Sequence, residues 1–242
     1  MLESGMDAVV SAVTNLVIAN RILAHEGVLD AYGHVSVRHP ERPDRYLLSC
    51  SRAPELVEER DIAEYYLSGE PVHKDDRPPY LERFIHGGIY EARPDVVAVI
   101  HSHAEDTLAF GITKEPLRPV IHNASQMGAH VPVWDIRDAF GDTNMLVSNA
   151  AHGRDLASSL GKNSVVLMRG HGFAAAGKNL LETVALAVYL PKNARVLTNA
   201  LRFGNVNPLS EGEIDKIDNG PQPHPWRRAW EYWSRRAGFD QR

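Results

Sequence analysis

Val96-Val97-Ala98-Val99-Ile100-His101-Ser102-His103, residues 96–103, sets five apolar residues, four of them β-branched, directly before two histidines. A run that is apolar at every position, not at every second one, reads as a buried central strand covered on both faces. In an extended chain residues i and i+2 point to the same side, so if the strand conformation persists the imidazoles of His101 and His103 converge. Taken alone the pair fits two readings: both rings on one metal ion, or one ring packed and the other solvated.

Working outward, Ser164-Val165-Val166-Leu167-Met168 reads as a second buried strand, and it exits into Arg169-Gly170-His171-Gly172. The flanking glycines let the backbone turn sharply and approach another group closely. A third histidine at a strand exit favours the metal reading, and three protein ligands leave positions open for substrate or water. Upstream, Glu82 to Glu91 suits a helix that stops before Pro94, because the residue before proline avoids the α region. Glu82 stands 19 positions ahead of His101. By itself a carboxylate at a helix start is ordinarily a surface residue that compensates the helix dipole.

Nearer the N-terminus, apolar residues recur at helical spacing from Asp7 to His25, followed by Gly27. Val35–Arg38 and Tyr46–Ser49 then read as a β-hairpin across the Pro-rich segment 39–44. Beyond the second strand, Asn179 three residues before Glu182 caps a long helix toward Arg202, in which Pro191 is expected to form a kink. Residues 1–242 read as a single α/β domain with 205–242 as a C-terminal tail, in which Trp226, Trp230, Tyr232 and Trp233 mix with arginines.

Composition narrows the function classes. A formal charge of -5 gives no general attraction to nucleic acid, and no uninterrupted apolar run is expected to span a bilayer. Cys50 has no internal partner and no leader segment is evident, which together point to a reducing, cytoplasmic setting. Twelve histidines justify the search for a metal site, although most are structural or surface residues.

Gly33-His34-Val35-Ser36-Val37-Arg38, Arg93-Pro94-Asp95 leading into His101-Ser102-His103, and Gly170-His171-Gly172 together resemble the class II aldolase/adducin family, over roughly Ala12 to Ala200. The resemblance implies a three-layer α/β/α fold with a mostly antiparallel central sheet, commonly a homotetramer with sites at subunit boundaries. It also implies that His101, His103 and His171 bind one divalent metal ion and that Glu82 is catalytic. Where the sugar-phosphate aldolases of the family cradle phosphate with small and amide residues, this chain has Ala31-Tyr32-Gly33-His34, Ser51-Arg52 and Tyr80-Leu81. Arg52 is either a solvent-facing loop residue or a planar fork for a carboxylate. Residues 49–56 and 33–36 are similar to the 3-hydroxy-2-methylpyridine-4,5-dicarboxylate decarboxylase branch.

On this resemblance the chain is expected to decarboxylate a hydroxylated aromatic (di)carboxylate. Glu82 and His34 would handle protons, Arg52, Ser51, Tyr80 and Tyr232 would line the substrate, and the ion would be manganese or zinc, with iron as a further option. The alternatives are cleavage of a non-phosphorylated hydroxy-keto acid, a metal-dependent oxygenase, and an adducin-like interaction protein without enzymatic activity. The C-terminal aromatic cluster has two readings as well. Its rings pack on the chain's own core, or they cover a neighbour's metal cleft, in which case removing 221–242 leaves a folded, metal-bound protein.

Overall fold

The strands of this chain alternate between two cores. Ala98 and Ile100 join one hydrophobic cluster and Val99 the other; Val165 and Leu167 part from Val166 and Met168, and Phe173 and Ala175 from Ala174 and Ala176. Successive side chains on a strand point to opposite faces, so strands apolar at every position need cover on both sides.

The structure is a computed structural model that describes residues 2–221 and 226–239, with side chains from Asp7 onward. In chain order the elements are α1 (Leu2–His25), β1 (His34–Arg38), β2 (Arg45–Ser49), β3 (Ile62–Tyr66), α2 (Arg83–Ala92), β4 (Ala98–Ser102), α3 (Glu105–Ile112), β5 (Val133–Trp134), α4 (Ile136–Phe140), α5 (Ala150–Leu160), β6 (Val165–Met168), β7 (Gly172–Gly177), α6 (Leu180–Leu201), α7 (Glu211–Asn219) and α8 (Trp226–Arg236). The sheet order is β3-β2-β1-β4-β7-β6-β5, and every neighbouring pair is antiparallel except β5 with β6. Helices α1, α3, α6 and α8 cover one face and α2 and α5 the other. The expected α/β/α layering with a mostly antiparallel sheet is the architecture found.

Two strands differ from the sequence reading. The central strand β4 starts at Ala98, not Val96, because Val96 N–H closes a reverse turn on Arg93 C=O (3.0 Å), while Val97 leads into the strand with its N–H on Gly177 C=O (2.8 Å). The strand therefore runs through His101 and Ser102 instead of ending before them. Strand β7, Gly172-Phe173-Ala174-Ala175-Ala176-Gly177, escaped the reading because glycine and alanine are poor strand formers. Small residues are required there: a Cβ on Gly172 would sit 2.0 Å from the Ser102 carbonyl oxygen of β4. Helix α6 spans Leu180–Leu201 behind the Asn179 cap with Pro191 inside it, the extent expected.

Helix α2 is held close to α5 by two more glycines, since a Cβ on Gly88 would lie 2.3 Å from the Gly153 carbonyl carbon. This close approach sets the depth at which the start of α2 meets the sheet. By length and mean hydropathy Asp7–His25 in α1 is apolar enough to cross a bilayer, although Ser11, Thr14, Asn15, Asn20 and Arg21 interrupt its apolar run as expected. Its apolar side nonetheless packs on the sheet through Leu16, Ile22 and Leu23, all fully buried.

The tail also resolves in favour of the chain's own core for three of its rings, Trp226 packing partly buried beside Tyr189 at 6.1 Å. Trp230 and Trp233 are buried on α8 against α1 and α6, with the Trp233 ring 6.0 Å from that of Tyr189. Removing residues 221–242 would expose this core, so the truncated chain is expected to lose stability and not to remain folded as the neighbour-cleft reading requires. We expect Trp233→Ala to lower stability by about 3–5 kcal/mol, the usual cost of deleting a buried indole, as read by urea denaturation. A loss below 1 kcal/mol would mean that α8 does not depend on this contact.

Candidate metal centre

Strand and turn geometry place the histidines. His101 is the fourth residue of β4, on the face that meets α2, and His103 follows two residues later on the same side, with ring centroids 4.8 Å apart. His171 occupies the tight turn between β6 and β7, where Gly170 adopts φ +65° and His171 N–H closes the turn on Met168 C=O at 3.0 Å. Glu82 stands at the N-cap of α2, but its carboxylate makes no capping bond and turns toward the histidines.

The ring nitrogens converge. Nε2 of His103 lies 3.0 Å from Nε2 of His101 and 3.1 Å from Nε2 of His171, while Glu82 Oε2 is 3.5 Å and 3.4 Å from those of His101 and His171. His101 Nδ1–H donates to the Phe173 carbonyl (3.0 Å) and His171 Nδ1–H to the Met145 carbonyl (3.1 Å). A neutral imidazole has one N–H, so both rings have spent theirs and their bare Nε2 atoms each face Nε2 of His103. Lone pairs gathered at this spacing repel unless a cation sits among them. Two nitrogens each about 2.0–2.1 Å from one ion lie roughly 3.0–3.4 Å apart, which the observed spacings match. Four ligand atoms, one from each of these residues, fall within 4.8 Å of one another and could hold a divalent cation.

Electrostatics agree with that geometry. Burial and the neighbouring His101 and His171 lower His103 to about 4, so it stays neutral and able to ligate. Burial alone would raise the Glu82 carboxyl; positive character at His101 and His171 outweighs it and holds the group well below the usual carboxylate range, and with both Nε2 atoms bare that positive charge is a bound cation's to supply. Its other oxygen, Oε1, accepts from Val147 N–H at 3.0 Å, which leaves Oε2 aimed at the cluster.

His34 sits beside this group, paired with His101 across β1 and β4, its ring 5.2 Å from that of His101 and 4.6 Å from that of Tyr80. Burial, with His86 and His101 nearby, pushes His34 well below its ordinary value. Tyr80 donates its hydroxyl hydrogen to the Arg52 carbonyl, so it wedges between His34 and the loop after β2. Arg52 does not present a free fork: its guanidinium pairs with the buried Asp61 at 2.7 Å and lies 3.7 Å from Glu58. A buried carboxylate left without a partner is costly, which explains the commitment. Ser51 is exposed, with its backbone N–H on Pro78 C=O. Tyr232 is exposed on α8 under the Arg236 guanidinium at 5.3 Å, and among the described residues no contact joins it to the histidines. A cavity of about 260 Å³ opens on His103 and is bordered by Asp30, Glu105, Lys192 and Arg195. A larger one, about 770 Å³, lies at the opposite ends of the strands beside Arg93 and Lys178, away from this chemistry.

The family model described as the class II aldolase and adducin N-terminal domain matches residues 14–198. The chain belongs to this family. A decarboxylase, tropJ, of the fungus Talaromyces stipitatus is 36% identical over 238 residues, covering 88% of this chain and 89% of its own. A 3,4-dihydroxyphthalate decarboxylase of Terrabacter sp. is 29% identical over 195 residues, covering 74% and 76%. Among solved structures, an aldolase II superfamily protein from Pseudomonas syringae aligns with a TM-score of 0.78 at 21% identity, over 95% of this chain and 93% of that one, a likeness of fold. The segment shared with the class II aldolase/adducin family holds Glu82, the three histidines, His34, Arg52 and Tyr80, and leaves α7, α8 and Tyr232 outside it.

Several supports escaped the sequence reading. Met145 and Val147 belong to a loop with no motif, yet they orient His171 and Glu82, and Met145 takes φ +67° to do so. His86 carried a signal that was not used. Glu82, His86 and Tyr90 recur every four residues on one face of α2, opposite His34 and Ser36 spaced two apart on β1.

Proposed function

We propose that this chain is a divalent-metal-dependent lyase that decarboxylates a hydroxylated aromatic (di)carboxylate. The observation that carries the reading is the convergence of three imidazole nitrogens on one point, two of them stripped of hydrogen by carbonyls, with Glu82 Oε2 at its edge. Decarboxylase relatives covering most of the chain support the reaction type.

Breaking a carbon–carboxylate bond leaves an electron pair that must be delocalised onto oxygen. A cation held by His101, His103 and His171 would polarise the substrate's hydroxyl and carboxylate oxygens and stabilise that charge. The chain's own groups do the rest. Glu82, pinned through Oε1 by Val147, keeps Oε2 placed to pass on the proton that replaces each carbon dioxide lost. His34 and Tyr80 form the adjoining wall, and a carboxylate retained by the substrate reaches Arg52 by displacing Glu58, the more distant of its two partners. Manganese and zinc both suit this ligand set. Exposed apolar residues near the cluster and beyond it, including Tyr32, Leu81 and Ile112, are in keeping with a homotetramer.

The test is product analysis. Metal-loaded protein incubated with a panel that includes 3,4-dihydroxyphthalate is expected to release carbon dioxide in proportion to substrate consumed, and chelated protein to release none. An aldehyde released from a hydroxy-keto acid, with no carbon dioxide from the aromatic panel, would assign the site to aldol cleavage. Turnover that survives complete metal removal would overturn the metal-dependent reading.

A further inference from the structure

Behind His34 runs a chain of buried polar groups that the proposed reaction does not touch. His34 Nδ1 lies 2.6 Å from His86 Nε2, His86 Nδ1 lies 2.6 Å from Ser36 Oγ, and Ser36 Oγ lies 2.8 Å from the Tyr90 hydroxyl. The Tyr90 hydroxyl in turn lies 3.3 Å from the Val97 carbonyl oxygen. All four side chains are 3% exposed or less. Buried polar chains of this kind are costly unless every member is satisfied, so their hydrogens must be arranged in a definite order.

The order follows from the closed end. A carbonyl only accepts, so the hydrogen between Tyr90 and Val97 belongs to Tyr90. The phenol oxygen then accepts from Ser36, Ser36 accepts from His86 Nδ1–H, and His86 Nε2 accepts from His34 Nδ1–H. This direction makes four hydrogen bonds. The reverse direction makes three, and sets the Tyr90 oxygen against the Val97 oxygen with no hydrogen between them. Burial lowers His86 to about 3, in keeping with a neutral ring that carries one hydrogen. The chain does not conduct protons: it ends on a backbone carbonyl that already accepts Arg38 N–H at 2.7 Å, and Tyr90 is only 1% exposed.

We propose that His86, backed by Ser36 and Tyr90, is a positioning residue that locks His34 in the Nδ1–H tautomer and presents its bare Nε2 to the cleft. Among the described residues nothing bonds that nitrogen, which lies on the other side of the ring from the Nδ1 held by His86, and the ring itself packs against those of His101 and Tyr80. His34 therefore meets substrate as an acceptor, for a hydroxyl hydrogen, and has no proton on Nε2 to give to carbon. Proton delivery then falls to Glu82 alone. The tautomer stands on the hydrogen-bond chain; the hydroxyl partner rests on the functional reading above.

Two measurements on the metal-loaded, full-length protein separate these parts. Neutron diffraction from deuterated crystals is expected to show deuterium on Nδ1 of both His34 and His86 and none on His34 Nε2. A deuteron on His34 Nε2 with Nδ1 bare overturns the positioning role whatever the substrate is. The second compares the affinities for 2-hydroxybenzenesulfonate and benzenesulfonate, which cannot lose carbon dioxide. In His86→Leu the preference for the hydroxylated probe is expected to shrink about tenfold, the scale of one hydrogen bond, and in His86→Gln, whose amide oxygen still accepts from His34, most of it returns. Tyr90→Phe, which removes the hydroxyl that accepts from Ser36 and donates to Val97 and so sets the direction, is expected to reduce the preference about threefold and gives the same reading if His86→Leu does not fold. Equal loss of both probes overturns the proposal in favour of a purely structural role. The expected neutron result together with an unchanged preference would retain the tautomer and reject the hydroxylated substrate.

Discussion

His171→Ala is expected to purify folded, with less than about a tenth of the metal bound by the parent protein, and with turnover below detection. His171 is the cleanest ligand to remove because it sits in a turn at the mouth of the cluster, whereas His101 is fully buried in β4 and its truncation would leave a hole in the core. Its Nε2 is one of three nitrogens about 3 Å apart, and two imidazoles hold an ion far less tightly than three. Losing a group that merely orients a ligand typically costs 10–100-fold in metal affinity, and losing the ligand itself should exceed that. Elemental analysis of the purified variant, with circular dichroism to verify the fold, is the check. Full metal content and an unimpaired rate in His171→Ala would sink the three-histidine centre.

Glu82→Gln is expected to separate binding from chemistry. The amide keeps the shape of the side chain, and its oxygen can still accept from Val147 N–H, so the start of α2 stays in place. The three histidines retain the ion. What disappears is the ionisable Oε2, 3.4–3.5 Å from His101 and His171, and with it a proton transfer that typically contributes 10²–10⁴-fold. The expected result is a kcat lower by that factor with KM changed little. A raised KM with kcat intact would mean that Glu82 holds substrate and moves no proton, because only interactions strengthened in the transition state appear in kcat.

Much of the scaffold was legible because its strands are apolar at every position. That pattern states burial on both faces before any contact is known, and it placed His101 and His171 at strand exits where side chains can converge. Strand β7 was hidden by the same logic in reverse: its alanines and glycines carry no strand propensity and are there because β4 and α6 press against them. Arg52 illustrates a limit of a different kind. Residue type suggested a fork for a carboxylate, but the carboxylate it meets is Asp61, nine residues on, and no local pattern announces which acid a long side chain will reach.

From its sequence alone this protein declares two-faced strands, a histidine pair in extended register, a third histidine in a glycine-flanked turn and a carboxylate at a helix start. These are local properties, set by side-chain period and by which backbone conformations each residue tolerates. Only the tertiary structure decided which nitrogens lost their hydrogens to Phe173 and Met145, that Glu82 is pinned by Val147, and that His86, Ser36 and Tyr90 line up behind His34. Those contacts join residues up to 72 positions apart in the chain, and a hydrogen bond is made or lost within a few tenths of an ångström. Such distances are fixed by how closely α2 docks on α5 and on the sheet, which no single segment determines.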